Sequence, residues 1–119
     1  MQNEQAEDRK VSISGISIDP EIVDTIANAW ITINVDNHTK EEQPVMASIV
    51  VAQGEYSEKI EIAERVSPFG GVIEAVIRIV DPEMWQPDES GAFPQFDCMV
   101  GLEIADEVMD VAAVKFDAS

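Results

Sequence analysis

The chain has 119 residues, with 24 Asp and Glu against 7 Lys and Arg, a formal net charge of −17. Hydrophobic residues make up 45% of it, enough to bury a core, so the acid sits on a folded surface and not on a disordered tail. One small domain fits this length, far short of the ~250 residues of a TIM barrel, which excludes a complete glycosidase or dehydrogenase. The charge repels phosphate backbones and anionic headgroups, so neither nucleic acid nor membrane is an expected partner.

Residues 1–10, MQNEQAEDRK, are polar and offer no apolar core for a secretory leader. They read as a linker or remnant, and the folded domain is expected over 11–117. From there apolar residues recur at every second position, the period of a half-buried strand, and no segment reads as a helix. Val11, Ile13, Ile16 and Ile18 form a first strand whose phase slips at Ser14-Gly15, where a bulge fits, and Asp19-Pro20 is expected to end it. Ala29, Ile31, Ile33 and Val35 alternate with Trp30, Thr32, Asn34 and Asp36 before the polar turn Asn37 to Glu42. Val45, Ala47, Ile49 and Val51 define a third strand running to Gly54, and a shorter one is expected over Lys59 to Ala63. Beyond Ser67-Pro68-Phe69-Gly70-Gly71, Ile73, Ala75, Ile77 and Ile79 share one face of Val72 to Val80. A long loop, Asp81 to Phe93, precedes inward positions Phe96, Cys98, Val100, Leu102 and Ile104, and Val108 to Phe116 closes the chain. About seven strands separated by Gly, Pro, Asn and Asp turn signals predict an all-β, immunoglobulin-like antiparallel β-sandwich.

Chemistry-bearing residues are sparse. Cys98 is the single cysteine, so no internal disulfide forms and the redox compartment stays open. It falls on the apolar parity of its strand and reads as a small core residue. His38, the single histidine, lies in a polar turn, so neither a nucleophilic triad nor a three- or four-ligand zinc site can be assembled. Paired carboxylates prove little among 24 acids, since some fall close by chance. Asp81, Glu83, Asp88 and Glu89 in one loop, and Asp106, Glu107 and Asp110 in another, supply oxygen that suits calcium, but neither loop has EF-hand spacing. They read as solvated acidic loops. No catalytic, cofactor-binding or metal-binding residue is assigned. Trp85, flanked by Pro82, Met84 and Pro87, is expected to plug the end of the sandwich or pack on a neighbouring domain. Trp30, on the more polar parity of its strand, is expected to face outward and mark an inter-domain contact.

The segment Asp81-Pro82-Glu83-Met84-Trp85-Gln86-Pro87 and its continuation to Phe96 resembles a strand connection of glycoside hydrolase family 2 enzymes. In that family of β-galactosidases, β-mannosidases and β-glucuronidases it has the form Asn/Asp-Pro-x-Leu-Trp-x-Pro and belongs to an immunoglobulin-like β-sandwich domain. Ala29 to Asn37 is similar to that domain's second strand, which also ends in Asn. Three departures stand out: Met84 where Leu is usual, Phe96 where Tyr is usual, and Val114-Lys115-Phe116-Asp117 where Phe-Gly-x-Arg often leads into the catalytic barrel. The resemblance implies a non-catalytic spacer between a sugar-binding jelly roll and a catalytic barrel that holds both catalytic glutamates. The implied partners are therefore other domains of the same polypeptide, with Trp85, Pro82, Pro87 and Trp30 as candidate structural or interface residues. The alternative is an independent carbohydrate-binding or calcium-stabilised cell-surface module whose exposed aromatics meet sugar directly. A third reading is an interaction domain of an unrelated acidic assembly. The acid excess is also a pattern that halophilic proteins use.

Overall fold

Alternating apolar residues produce seven strands in a computed structural model of the chain, which describes residues 9–119. They are β1 (Val11–Val23), β2 (Ile26–Asn37), β3 (Gln43–Gln53), β4 (Tyr56–Val66), β5 (Gly71–Ile79), β6 (Phe96–Ile104) and β7 (Glu107–Phe116). One sheet has the order β1-β2-β5 and the other β4-β3-β6-β7, every pairing antiparallel. The chain changes sheet after β2, after β4 and after β5, giving an immunoglobulin-like sandwich in which β4 pairs with β3 and not with β5. No helix among the described residues is long and apolar enough to cross a membrane. Of the polar lead expected over 1–10, residues 1–8 lie outside the described residues.

Both inner faces are lined by the expected alternating positions. Ile31 and Ile33 of β2 and Ile73 of β5 face Ile49 and Val51 of β3 and Phe96 and Leu102 of β6, none more than 1% exposed. Each such side chain contributes ~1.5–3 kcal/mol by leaving water, which makes the register hard to slip. Phe96 stacks on Phe116 with ring centroids 5.1 Å apart and meets Tyr56 edge-on at 6.4 Å, closing the core at one end.

Two expectations are corrected. β1 does not end at Asp19-Pro20 but continues to Val23, with Pro20 opposite Ala29. As an edge strand, β1 has every second N–H facing away from its partner, and a residue without an N–H is tolerated there. The strand expected over Lys59 to Ala63 runs from Tyr56 to Val66. It too is an edge, so its ends are held by backbone pairing to β3 while Glu58, Glu64 and Arg65 face solvent and hide the pattern. The long loop after β5 contains a single 3₁₀ turn, Pro82–Met84.

The bulge expected at Ser14-Gly15 is present, with Ser14 as the extra residue between the pairs Ile13–Val35 and Gly15–Asn34. A second bulge places Met109 between the pairs Leu102–Asp110 and Glu103–Val108. Side chains join the two bulged edges: Asp110 Oδ2 accepts from the Ile13 N–H at 2.8 Å, and Arg9 lies 3.7 Å from Asp110 Oδ1. The carboxylate thus takes the place of a strand carbonyl and closes the seam between the sheets. At the same end, Asn37 Nδ2 donates towards the carbonyls of Glu41, Val66 and Ser67 at 2.9–3.0 Å. Its Oδ1 accepts from both the N–H and the hydroxyl of Thr39, so one amide pins the β2–β3 turn to the end of β4.

Candidate functional site

The loop after β5 is built from its own backbone outward. Asp81 caps the 3₁₀ turn, its Oδ1 accepting from the Glu83 N–H at 3.1 Å, and Pro82 sits where no donor is needed. The turn drives Trp85 into the end of the sandwich, where the ring is 7% exposed and belongs to the core. Met84 is half-buried against the same core, and the Gln53 amide donates to the Met84 carbonyl at 2.9 Å, fastening the loop to the end of β3. Trp85 Nε1 has no acceptor among the described residues. Trp85 is thus buried within this chain. Pro82 is half-buried beneath the turn, whereas Pro87 and the residues after it to Ala92 are exposed.

Trp30 is elsewhere. It faces outward from the centre of the three-stranded sheet, 47% exposed, between Asp19 of β1 and Val76 of β5, and its Nε1 donates to Glu21 Oε1 at 3.1 Å. The two tryptophans therefore do not form one site.

In the loop after β5 Asp81 and Asp88 are held by the loop's own backbone. Asp88 Oδ1 accepts from the Ser90 hydroxyl at 2.6 Å, the Ser90 N–H at 2.8 Å and the Ala92 N–H at 3.0 Å. These bonds, the Ser90 hydroxyl first, hold its carboxyl below the ordinary value. Asp117 is lowered in the same way by Ser119. Among the described residues no three His, Cys, Asp or Glu side chains converge in a manner that could hold a metal ion. Cys98 is fully buried and burial pushes its thiol up to about 11, which makes it inert at neutral pH. His38 Nε2 lies 2.8 Å from Ser12 Oγ on an exposed surface, a contact that ties the β2–β3 turn to β1. A Ser-His pair needs a third group to orient the ring, and no partner of Nδ1 is found among the described residues.

One surface escapes a reading by strand parity. The outward residues of β3, β6 and β7 include Val50, Met99, Val108 and Val111, which line a groove of about 470 Å³. The signal was in β3, where Val45 to Ala52 is apolar at every position but Ser48 and does not alternate.

No protein-family model matches the chain, and no curated protein matches it. Its structure is similar to part of several much longer solved enzymes. A glycoside hydrolase family 2 member from Bacteroides cellulosilyticus DSM 14838 superposes with a TM-score of 0.77 at 11% identity, over 92% of this chain and 15% of that one. The exo-chitosanase of Amycolatopsis orientalis gives 0.75 at 14% identity, over 92% of this chain and 13% of that one. Bacteroides uniformis beta-glucuronidase gives 0.71 at 13% identity, over 91% and 14%. The fold is that of a β-sandwich segment of family 2 glycoside hydrolases. The chain spans roughly a seventh of the length of these enzymes.

Proposed function

We propose that the chain is a non-catalytic β-sandwich module of a family-2-type glycoside hydrolase, a spacer that positions a catalytic barrel and a sugar-binding domain in an enzyme of carbohydrate metabolism. The observation that carries this reading is coverage. Nearly the whole chain, 91–92%, matches segments that make up only 12–17% of longer enzymes, several of them family 2 glycoside hydrolases. The Asp81 to Pro87 segment, which carries the resemblance to the family, is consistent with it: it forms an ordered 3₁₀ turn with Trp85 buried behind it. A spacer must transmit position, and two hydrogen-bonded sheets locked by Phe96, Trp85 and the Asn37 corner form a body 53 Å long with little freedom to bend.

The test is the mass of the native gene product, read by immunoblot with antibodies raised against this chain. The expected product is far heavier than 13.1 kDa and copurifies with glycosidase activity. A product of 13.1 kDa would overturn the reading. A second reading, an independent carbohydrate-binding module, rests on half-exposed Trp30. It requires saturable oligosaccharide binding by the isolated chain that disappears in Trp30→Ala. Trp85→Ala is uninformative here because that ring is inside the fold.

A further inference from the structure

In an antiparallel sandwich the outer face of each sheet meets water and carries polar side chains. The three-stranded sheet largely obeys this, with Asn28, Thr32, Asn34 and Asp36 pointing outward along β2 and Glu74 and Arg78 along β5, and with Trp30, Val72 and Val76 as its exposed apolar residues. The outer face of the four-stranded sheet does not. Register sets Val50 beside Met99, Met99 beside Ala113, and Gly101 beside Val111, so the apolar residues of three strands are contiguous. Met99 is 47% exposed, Val108 59% and Val111 67%. A second groove of about 620 Å³, lined by Pro44, Met46 and Ala63 among others, adjoins the first at Glu103, which lines both. Strands apolar on both faces belong where both faces are covered.

Gly101 adds an independent observation. It stands mid-strand, where glycine weakens a sheet, and its φ is not in the left-handed region. A Cβ there would meet Val111 Cγ1 at 3.7 Å, an ordinary contact, so the packing of this chain does not require a glycine. What glycine provides is a notch in the middle of the apolar patch, into which a partner's side chain or backbone can descend.

Charge selects the occupant. A second copy would bring another −17 towards this face, which strongly disfavours self-association. The cations at the rim are already paired within the chain: Lys59 with Glu61 at 3.7 Å, Lys115 with Asp97 at 2.6 Å and Arg65 with Glu42 at 3.1 Å. Among the described residues Glu64, Glu103, Asp106 and Glu107 have no such partner, and they leave the rim acidic. We propose that this face docks against another domain of the same polypeptide, through an apolar surface on that domain ringed by Lys and Arg. The inference rests on the module reading above and names the surface the module uses.

Methionine oxidation tests it, because peroxide transfers an oxygen atom to an accessible thioether sulfur and leaves as water. Met46 and Met99 lie on the face, whereas Met109 lies in the β7 bulge and serves as an internal reference. Oxidation is followed by mass spectrometry in the isolated 119-residue chain and in the native product at the same peroxide concentration. Met46 and Met99 are expected to oxidise ~10-fold or more slowly in the native product, with Met109 little changed. A heavier native product in which both oxidise at the isolated-chain rate would overturn the docking face while leaving the module reading intact. A native product no larger than the isolated chain would overturn both. Concentration-dependent protection in the isolated chain, with a dimer in sedimentation, would make a second copy the occupant and refute the proposal.

Discussion

Trp85 is the residue on which the loop after β5 depends. With the ring 7% exposed and in the core, Trp85→Ala is expected to cost about 3–5 kcal/mol, read from the midpoint of urea unfolding. Trp85→Phe keeps an aromatic ring and removes the Nε1 donor that has no acceptor among the described residues. Its cost should be clearly smaller than that of Ala; equal costs would show that the indole is not acting as a space-filling plug. Asp88 makes a prediction about pH. Its carboxyl lies below its ordinary value of 3.8 because the charged form accepts bonds from Ser90 and Ala92. A depressed folded-state value means that its contribution to stability is present above the unfolded value and lost as pH falls through the folded one. Carboxyl-carbon NMR should place the Asp88 titration below 3.8, and Ser90→Ala, which removes the largest cause, should move it upward. The residues carrying this chemistry were visible as an acidic loop, but the pairing of Asp88 with Ser90 and Ala92 depends on a turn conformation that composition does not specify.

At the scale of the strands, the two edges that needed help received it from side chains. Asp110 Oδ2 accepts from the Ile13 N–H at 2.8 Å, so Asp110→Ala leaves a part-buried donor without a partner. That variant should lose about 1–3 kcal/mol in urea unfolding with an unchanged m-value, whereas Asp110→Asn, which keeps an acceptor, should recover most of it. The Arg9 contact adds little, because at 3.7 Å it is long and the arginine is 43% exposed. Central strands β2, β3 and β6 and edge strand β5 were legible because each inward position is apolar and each sits in a sheet interior or against the opposite inner face. Edge strand β4 was read short because polar residues at its ends are held by backbone pairing, a long-range bond with no local signature. The turn from β6 to β7 was likewise hidden. Ala105 and Asp106 both take positive φ, 53° and 68°, in a two-residue hairpin turn of a kind usually signalled by Asn-Gly.

For the whole molecule the governing quantity is −17 on 119 residues. Screening shortens from ~10 Å at 0.1 M salt to ~3 Å at 1 M, so carboxylate repulsion should fade over that range and the melting temperature in KCl should rise. A melting temperature that stays flat would remove the halophile-like reading of the charge. Alternation of apolar residues, the turn signals and the Asp81 to Pro87 segment were enough to predict an immunoglobulin-like sandwich of about seven strands, since burial of one face imposes a period of two. Tertiary structure alone decided which strands were edges, which sheet β4 joined, and that the Trp85 and Trp30 side chains lie apart, one in the core and one on an outer sheet face. It also showed that the outward residues of β3, β6 and β7 merge into one apolar face. Parity assigns a residue to a side of its own strand, but only pairing between distant strands determines which residues share that side and what remains for a partner to cover.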